Sequence, residues 1–410
     1  MSVAGYGAVR RGRLAVRREV VPASLLAALF FLANGGLFRL GEANGLAWLV
    51  LSGAVGLVAL GDPRGAARAC VRHRVVFLLP GFLLLTAVWS VAPVVTLAAG
   101  LKMIVTVALC CVLGARLTSR AVLTALALSM GLAMALSLVN LVLGVFPPVY
   151  ETNGAFLGIF PQKTQVARTA VWLAFALVAL AAARGGRGLL ATGVAVALFP
   201  VTLIAHSVTG ALGFGFVAVL VAALFLVRLP ASLRLVLPLL VLGGGAALVA
   251  VYWATGGAPV EAALAVAGKG ETLTGRTVLW SLGLAIWSES PVVGIGYGAF
   301  WDGAAFAADR ALVEAQVDEG LNGFHNAAVE LLVASGFVGL GVWLIGVGWA
   351  LWRLVRRALG RRSVDAAVWA VALAALMGMA LFETSLFAAR SLNLMLMTFA
   401  LMQARSGRGG

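Results

Sequence analysis

Charged side chains are scarce in this chain: they make up 11% of its 410 residues, with only 15 Asp+Glu, where a soluble domain carries about 25%. At 62% hydrophobic, such a chain cannot cover a water-facing surface, which excludes an ordinary soluble fold. Cysteine is almost absent. Of the three, Cys110 and Cys111 are neighbours in an apolar run and Cys70 lies in a basic stretch, so no disulfide framework is offered. Histidine also numbers three, and neither an Asp-x-Asp pair nor a His/Cys cluster with ligand spacing occurs, so neither a divalent ion nor any other cofactor is implied. There is no internal repeat of the kind that marks carriers built from two like halves.

What the chain does have is long runs of Leu, Ala, Val and Gly. They lack period-two alternation, so they read as membrane-spanning helices rather than barrel strands. Spans are expected near 20–38, 46–60, 75–90, 94–114, 121–146, 167–183, 189–206, 211–227, 235–252, 327–352, 364–382 and 392–404. The predicted fold is all-α and polytopic, with about twelve transmembrane helices and not fewer than about ten. Three parts follow: a bundle over 1–252, a large loop over 253–325 and closing helices over 326–410. Glycine pairs such as Gly210-x-x-Gly213 and Gly336-x-x-Gly339 are read as close helix packing.

The net charge of +15 first invites a nucleic-acid partner. Sorted by alternate loops, however, 22 of the 30 Lys+Arg fall on the side of the N-terminus and are spread over several loops and both tails. That is the positive-inside pattern of a membrane protein with both termini cytoplasmic, and nucleic acid loses its support as a partner. The basic start followed by Val20 to Leu37 resembles a signal peptide, but the parity of the crossings needs it as the first helix.

The stretch from Trp253 to His325 holds eight of the fifteen acids on the opposite side. Val278, Leu279, Leu282 and Ile286 recur at helical spacing, Ser290-Pro291 is a stop, and Gly294, Gly296 and Gly298 mark turns before a polar helix around 303–318. A small helical cap on the membrane surface is expected. Gly270 to Thr277 resembles a phosphate loop but has Arg276 in place of its lysine and follows no buried strand, so it is discounted.

Ionisable groups at membrane depth are costly and mark function by default. Lys102 lies inside a span, where snorkelling is the structural alternative. Lys163 and Arg168 flank the start of the sixth span, where interfacial anchoring competes. Arg276 opens the loop helix. His325 stands beside Asn326 and before Glu330, and Glu383 ends the eleventh span. Four cations at the non-cytoplasmic boundary suit a phosphate carried on a lipid tail.

Gly275-Arg276-Thr277-x-x-x-Trp280, Ser290-Pro291-Val-Val-Gly294-Ile-Gly296-Tyr-Gly298-Ala-Phe300 and Phe324-His325-Asn326-Ala-Ala-Val-Glu330 together resemble the O-antigen ligase and polysaccharide polymerase superfamily. The resemblance implies a GT-C-like, metal-independent glycosyltransferase. Its donor would be a glycan on undecaprenyl pyrophosphate and its acceptor lipid A-core or a growing glycan, with membrane lipids around it. It further implies His325 as general base or acceptor-orienting group, and Arg276 with Arg168 and Lys102 on the pyrophosphate. Many ligases carry an Arg after a Ser where this chain reads His206-Ser207-Val208-Thr209-Gly210. Lys163 or His206 could replace that cation, and Pro161-Gln162-Lys163 is closer to exopolysaccharide polymerases. Ligase and polymerase both stay open, and a transporter is the rival class.

Overall fold

The computed structural model describes residues 19–149, 154–182, 188–228, 272–317 and 323–405. Among these the chain is helical, with no strand and one isolated bridge, Val149 to Phe156. Numbered over the described residues, the helices are α1 (Glu19–Ala33), α2 (Glu42–Leu60), α3 (Pro63–Arg72), α4 (Leu78–Leu85), α5 (Pro93–Gly114), α6 (Ser119–Leu143), α7 (Lys163–Ala182), α8 (Gly188–Ile204) and α9 (Val208–Arg228). They continue with α10 (Thr272–Glu289), α11 (Ala299–Asp302), α12 (Ala307–Val317), α13 (Ala327–Arg361), α14 (Val364–Ala380) and α15 (Leu392–Arg405).

Their ends follow from local chemistry. The Asp62, Thr118, Asn326 and Ser363 side chains accept backbone N–H bonds at the starts of α3, α6, α13 and α14, and Gly144 ends α6 at φ +64°.

Six helices (α2, α5, α6, α7, α9 and α13) are long and apolar enough to cross a membrane, and a seventh span results if α3 and the segment through α4, bent by 75°, are one. The expected twelve are therefore not reached among the described residues. The run at 235–252 lies outside them. The runs at 19–33, 193–204 and 364–380 form helices of 10–17 residues, too short at about 1.5 Å per residue to cover about 30 Å of hydrocarbon alone.

Helix α7 is the most enclosed of the six and packs against α6, α8 and α9; α14 packs against α9, α13 and α15, and α5 against α4 and α15. Gly210 and Gly213 on α9 let this happen, since a Cβ at each would meet Ala167 at 2.6 Å and Val171 at 2.8 Å on α7. One apolar core runs through the bundle. A second, smaller one gathers Leu279, Ile286, Ile295, Phe300, Val313, Phe324, Val329 and Val333, joining the cap helices to the start of α13.

Candidate functional site

The site is built on a broken helix. At Gly336 (φ +61°, ψ −161°) α13 leaves helical geometry, and the segment Ser290–Gly298 wedges into the break. The amides of Phe337 and Val338, which a continuous helix would tie to the carbonyls of Val333 and Ala334, donate instead to Pro291 O (2.9 Å) and Val292 O (3.1 Å). The freed Val333 and Ala334 carbonyls accept from Ile295 N (2.9 Å) and Gly296 N (3.1 Å). Two helical bonds are exchanged for four, so none of these four helix groups is left orphaned. Glycine is required at this crossing. A Cβ on Gly294 (φ +70°) would lie 2.4 Å from Ser335 N, and one on Gly336 2.3 Å from the Val292 carbonyl carbon. Gly336 therefore does not serve helix packing as its spacing suggested, and the glycine trio is more than a turn.

The wedge is held from the other side as well. Trp89 Nε1 donates to Val293 O (3.2 Å), Val91 N to Ile295 O (3.1 Å) and Tyr297 N to Thr86 Oγ1 (3.0 Å), while the Tyr297 hydroxyl donates to Phe387 O. Burial, reinforced by Glu330 and Asp302, pushes the Tyr297 phenol well above its ordinary range, so it stays a donor.

The wedge fixes the first half of α13, whose start carries the histidine. His325 is half-buried at φ +51°, a left-handed backbone rare outside glycine. It is over-determined by its neighbours. Phe324 is fully buried, with its amide on Glu330 Oε2 (3.2 Å) and its carbonyl accepting from Trp280 Nε1 (2.9 Å). Asn326 caps α13 by accepting from Ala328 N (2.9 Å) and Val329 N (3.2 Å), and its Nδ2 donates to Leu381 O (3.4 Å). Gly323 lies so close to Thr384 that a Cβ would meet Oγ1 at 2.2 Å. The 323–326 segment is thus pressed against the 381–385 turn.

That turn carries Glu383, whose Oε2 pairs with Arg168 Nη1 at 3.2 Å, both side chains about nine-tenths buried. Arg168 Nε also donates to Asn34 Oδ1 (3.3 Å) and Nη1 to Ser385 Oγ (3.4 Å). Ser385 donates to Glu383 (2.9 Å) and accepts from Asn393 Nδ2 (2.8 Å), and Asn34 donates to Thr169 (2.6 Å). Arg276 lies one turn before Trp280 on α10, on the face that Trp280 and Gly283 turn toward Phe324.

Not every candidate converges. Lys163 is half-buried at the first position of α7, and His206, exposed at φ +49°, forms the α8–α9 turn. Glu330 serves the scaffold, because its Oε2 accepts from Trp301 Nε1 (3.3 Å) as well as from Phe324 N, tying the cap's aromatic cluster to α13. Lys102 is exposed on α5 in a groove with Trp48, Ser52 and Arg390, and is not part of the Arg168 network. Asn34, Ser385, Asn393, Tyr297 and Arg390 were not among the sequence candidates. Asn34 and Asn393, polar side chains in apolar runs, carried a readable signal.

Helices of this length and polarity, joined by a cap that reaches into a broken helix, define a multi-pass membrane protein, and residues 193–344 match the family model described as O-Antigen ligase. The chain carries an O-antigen ligase family domain, one that includes Arg276, the wedge and His325, and the resemblance read from these motifs holds. A particular relative is the "Exopolysaccharide production protein ExoQ" of Rhizobium meliloti (strain 1021), 33% identical over 282 residues, which are 65% of this chain and 61% of that protein. The chain thus matches less than two thirds of that relative's length.

Proposed function

We propose that the protein is a membrane glycosyltransferase of the ligase and polymerase type, moving a glycan from undecaprenyl pyrophosphate to an acceptor hydroxyl without a metal ion. The observation that carries this reading is the meeting of the 323–326 segment, which holds His325, with the 381–385 turn, whose Glu383 pairs with Arg168 of α7. His325 takes the acceptor proton, the general-base role that a neutral imidazole can fill. The acceptor oxygen bonds the anomeric carbon as its bond to pyrophosphate breaks on the opposite face, which inverts that centre. Arg276 and Arg168, with Lys163 nearby on α7, stabilise the charge that collects on the leaving pyrophosphate. Glu383 and Asn34 hold Arg168 in place for the substrate.

The charge asymmetry supports a periplasmic site in a bacterial inner membrane with cytoplasmic termini, and a GT-C-like arrangement accords with the helical bundle and its cap. Two acceptors fit, lipid A-core as in a ligase and a second lipid-linked glycan as in a polymerase. The likeness to an exopolysaccharide production protein favours the second.

The test is purified protein given the donor alone, or the donor with lipid A-core, with and without chelator. Donor-only elongation means polymerase and donor-to-core transfer means ligase. Activity that survives in both His325→Ala and Arg276→Ala removes the site assignment, and activity lost to chelator removes the metal-free claim.

A further inference from the structure

A second cationic site lies away from the histidine. Between α2, α5 and the end of the 381–391 turn is a groove of about 200 Å³ lined by Trp48, Ser52, Leu101, Lys102, Val105, Thr106, Leu109 and Arg390. Its two cations differ in support. Arg390 stacks its guanidinium 5.4 Å from the centre of the Trp48 ring, which fixes it without neutralising it. Lys102, about 14 Å along α5 from its start, has no side-chain partner among the described residues, and none of the lining residues is acidic. Below them Leu101, Val105 and Leu109 make an apolar wall. Among the described residues little covers the α2 side of the groove, where α2 buries only Trp48 and Val55.

An uncompensated ammonium at this depth is costly, and two cations over an apolar floor match a phosphate joined to a hydrocarbon chain. The volume admits the phosphate and the first carbons of a tail, not a sugar chain. A groove of this kind, distinct from the network that holds Arg168, is what an enzyme needs if both of its substrates arrive on lipid phosphates.

We propose that Lys102 and Arg390 bind the phosphate of a polyprenyl-linked acceptor, so that the protein holds two lipid phosphates at once, one at Arg168 and Arg276 and one here. The assignment of the acceptor rests on the glycosyltransferase reading; the binding of a polyprenyl phosphate does not.

The experiment uses the full chain in nanodiscs, with native mass spectrometry of retained polyprenyl phosphate at equal mole fractions of polyprenyl phosphate and phosphatidylglycerol. The parent is expected to carry up to two polyprenyl phosphates, and the Lys102→Gln/Arg390→Gln variant is expected to lower the doubly occupied population about tenfold while keeping the singly occupied one, since two charge-assisted contacts are lost at one of the two sites. Arg168→Met is expected to retain at least half of the parent's. In the transfer assay the groove variant is expected to raise the KM for the lipid-linked acceptor about tenfold while the donor KM holds. Equal retention in the groove variant, or displacement of polyprenyl phosphate by phosphatidylglycerol, overturns the proposal. If retention falls as expected but the His325→Ala protein still transfers glycan, the groove stands and the assigned active site fails.

Discussion

The Arg168–Glu383 pair allows a test that separates scaffold from chemistry. At 3.2 Å, with an effective dielectric of about 20, the attraction is about 5 kcal/mol, and it is set against the desolvation of two nearly buried charges. Glu383→Leu leaves the guanidinium buried without its counter-ion, and Arg168→Met does the same to the carboxylate. Each single change is expected to cost about 3–5 kcal/mol of stability. The Arg168→Met/Glu383→Leu double variant removes both charges at similar volume. Its residual cost is about 1–2 kcal/mol, because Asn34 Oδ1 and Ser385 Oγ lose a partner. Denaturant unfolding in detergent should therefore find the double variant more stable than either single one. Glycan transfer should behave differently: if Arg168 stabilises the leaving pyrophosphate, the refolded double variant stays about a hundredfold or more below the parent. Additive losses of stability would refute the ion-pair reasoning. A double variant that folds and transfers normally would reduce Arg168 to a structural part.

Three further outcomes follow from the wedge and the cap. Gly294→Ala and Gly336→Ala each place a Cβ within 2.4 Å of backbone at a positive φ, so each should lower stability by about 2 kcal/mol or more in thermal melts, whereas Gly341→Ala, with open space, should not. Glu330→Leu orphans Trp301 Nε1 and Phe324 N, for an expected loss of about 2 kcal/mol and a red shift of tryptophan emission, while Glu330→Gln keeps an acceptor and should lose less. Tyr297 carries a raised phenol, so its contribution is fully present below its unfolded pKa of about 10 and is lost as pH rises through the higher folded value. Tyr297→Phe should therefore flatten the loss of stability above pH of about 10 in pH-dependent unfolding, at a cost near neutrality of about 1 kcal/mol for the hydroxyl's bond to Phe387 O.

Periodicity carried the helices a long way. The loop helix expected over 276–289 is found as Thr272–Glu289, and Ser290-Pro291 ends it as its chemistry requires. The wedge was not legible for a physical reason. Its bonds join residues 291–296 to residues 333–338 and 91, and a glycine in sequence announces a positive φ or a close approach without naming what approaches. The same limit applies to Arg168 and Glu383, each readable as a costly charge, but 215 positions apart.

The four boundary cations show the limit most clearly. Hydropathy places a residue along the membrane normal, so Lys102, Lys163, Arg168 and Arg276 read as one layer. It says nothing of the angle around the bundle axis, which helix packing sets. Once α7 is enclosed by α6, α8 and α9, Arg168 turns into the protein and finds Asn34 and Glu383, while α2 leaves the groove on α5 little covered and Lys102 finds Arg390. One layer of charge thus becomes two sites. The 381–391 turn carries Glu383 to Arg168 and Arg390 to Trp48.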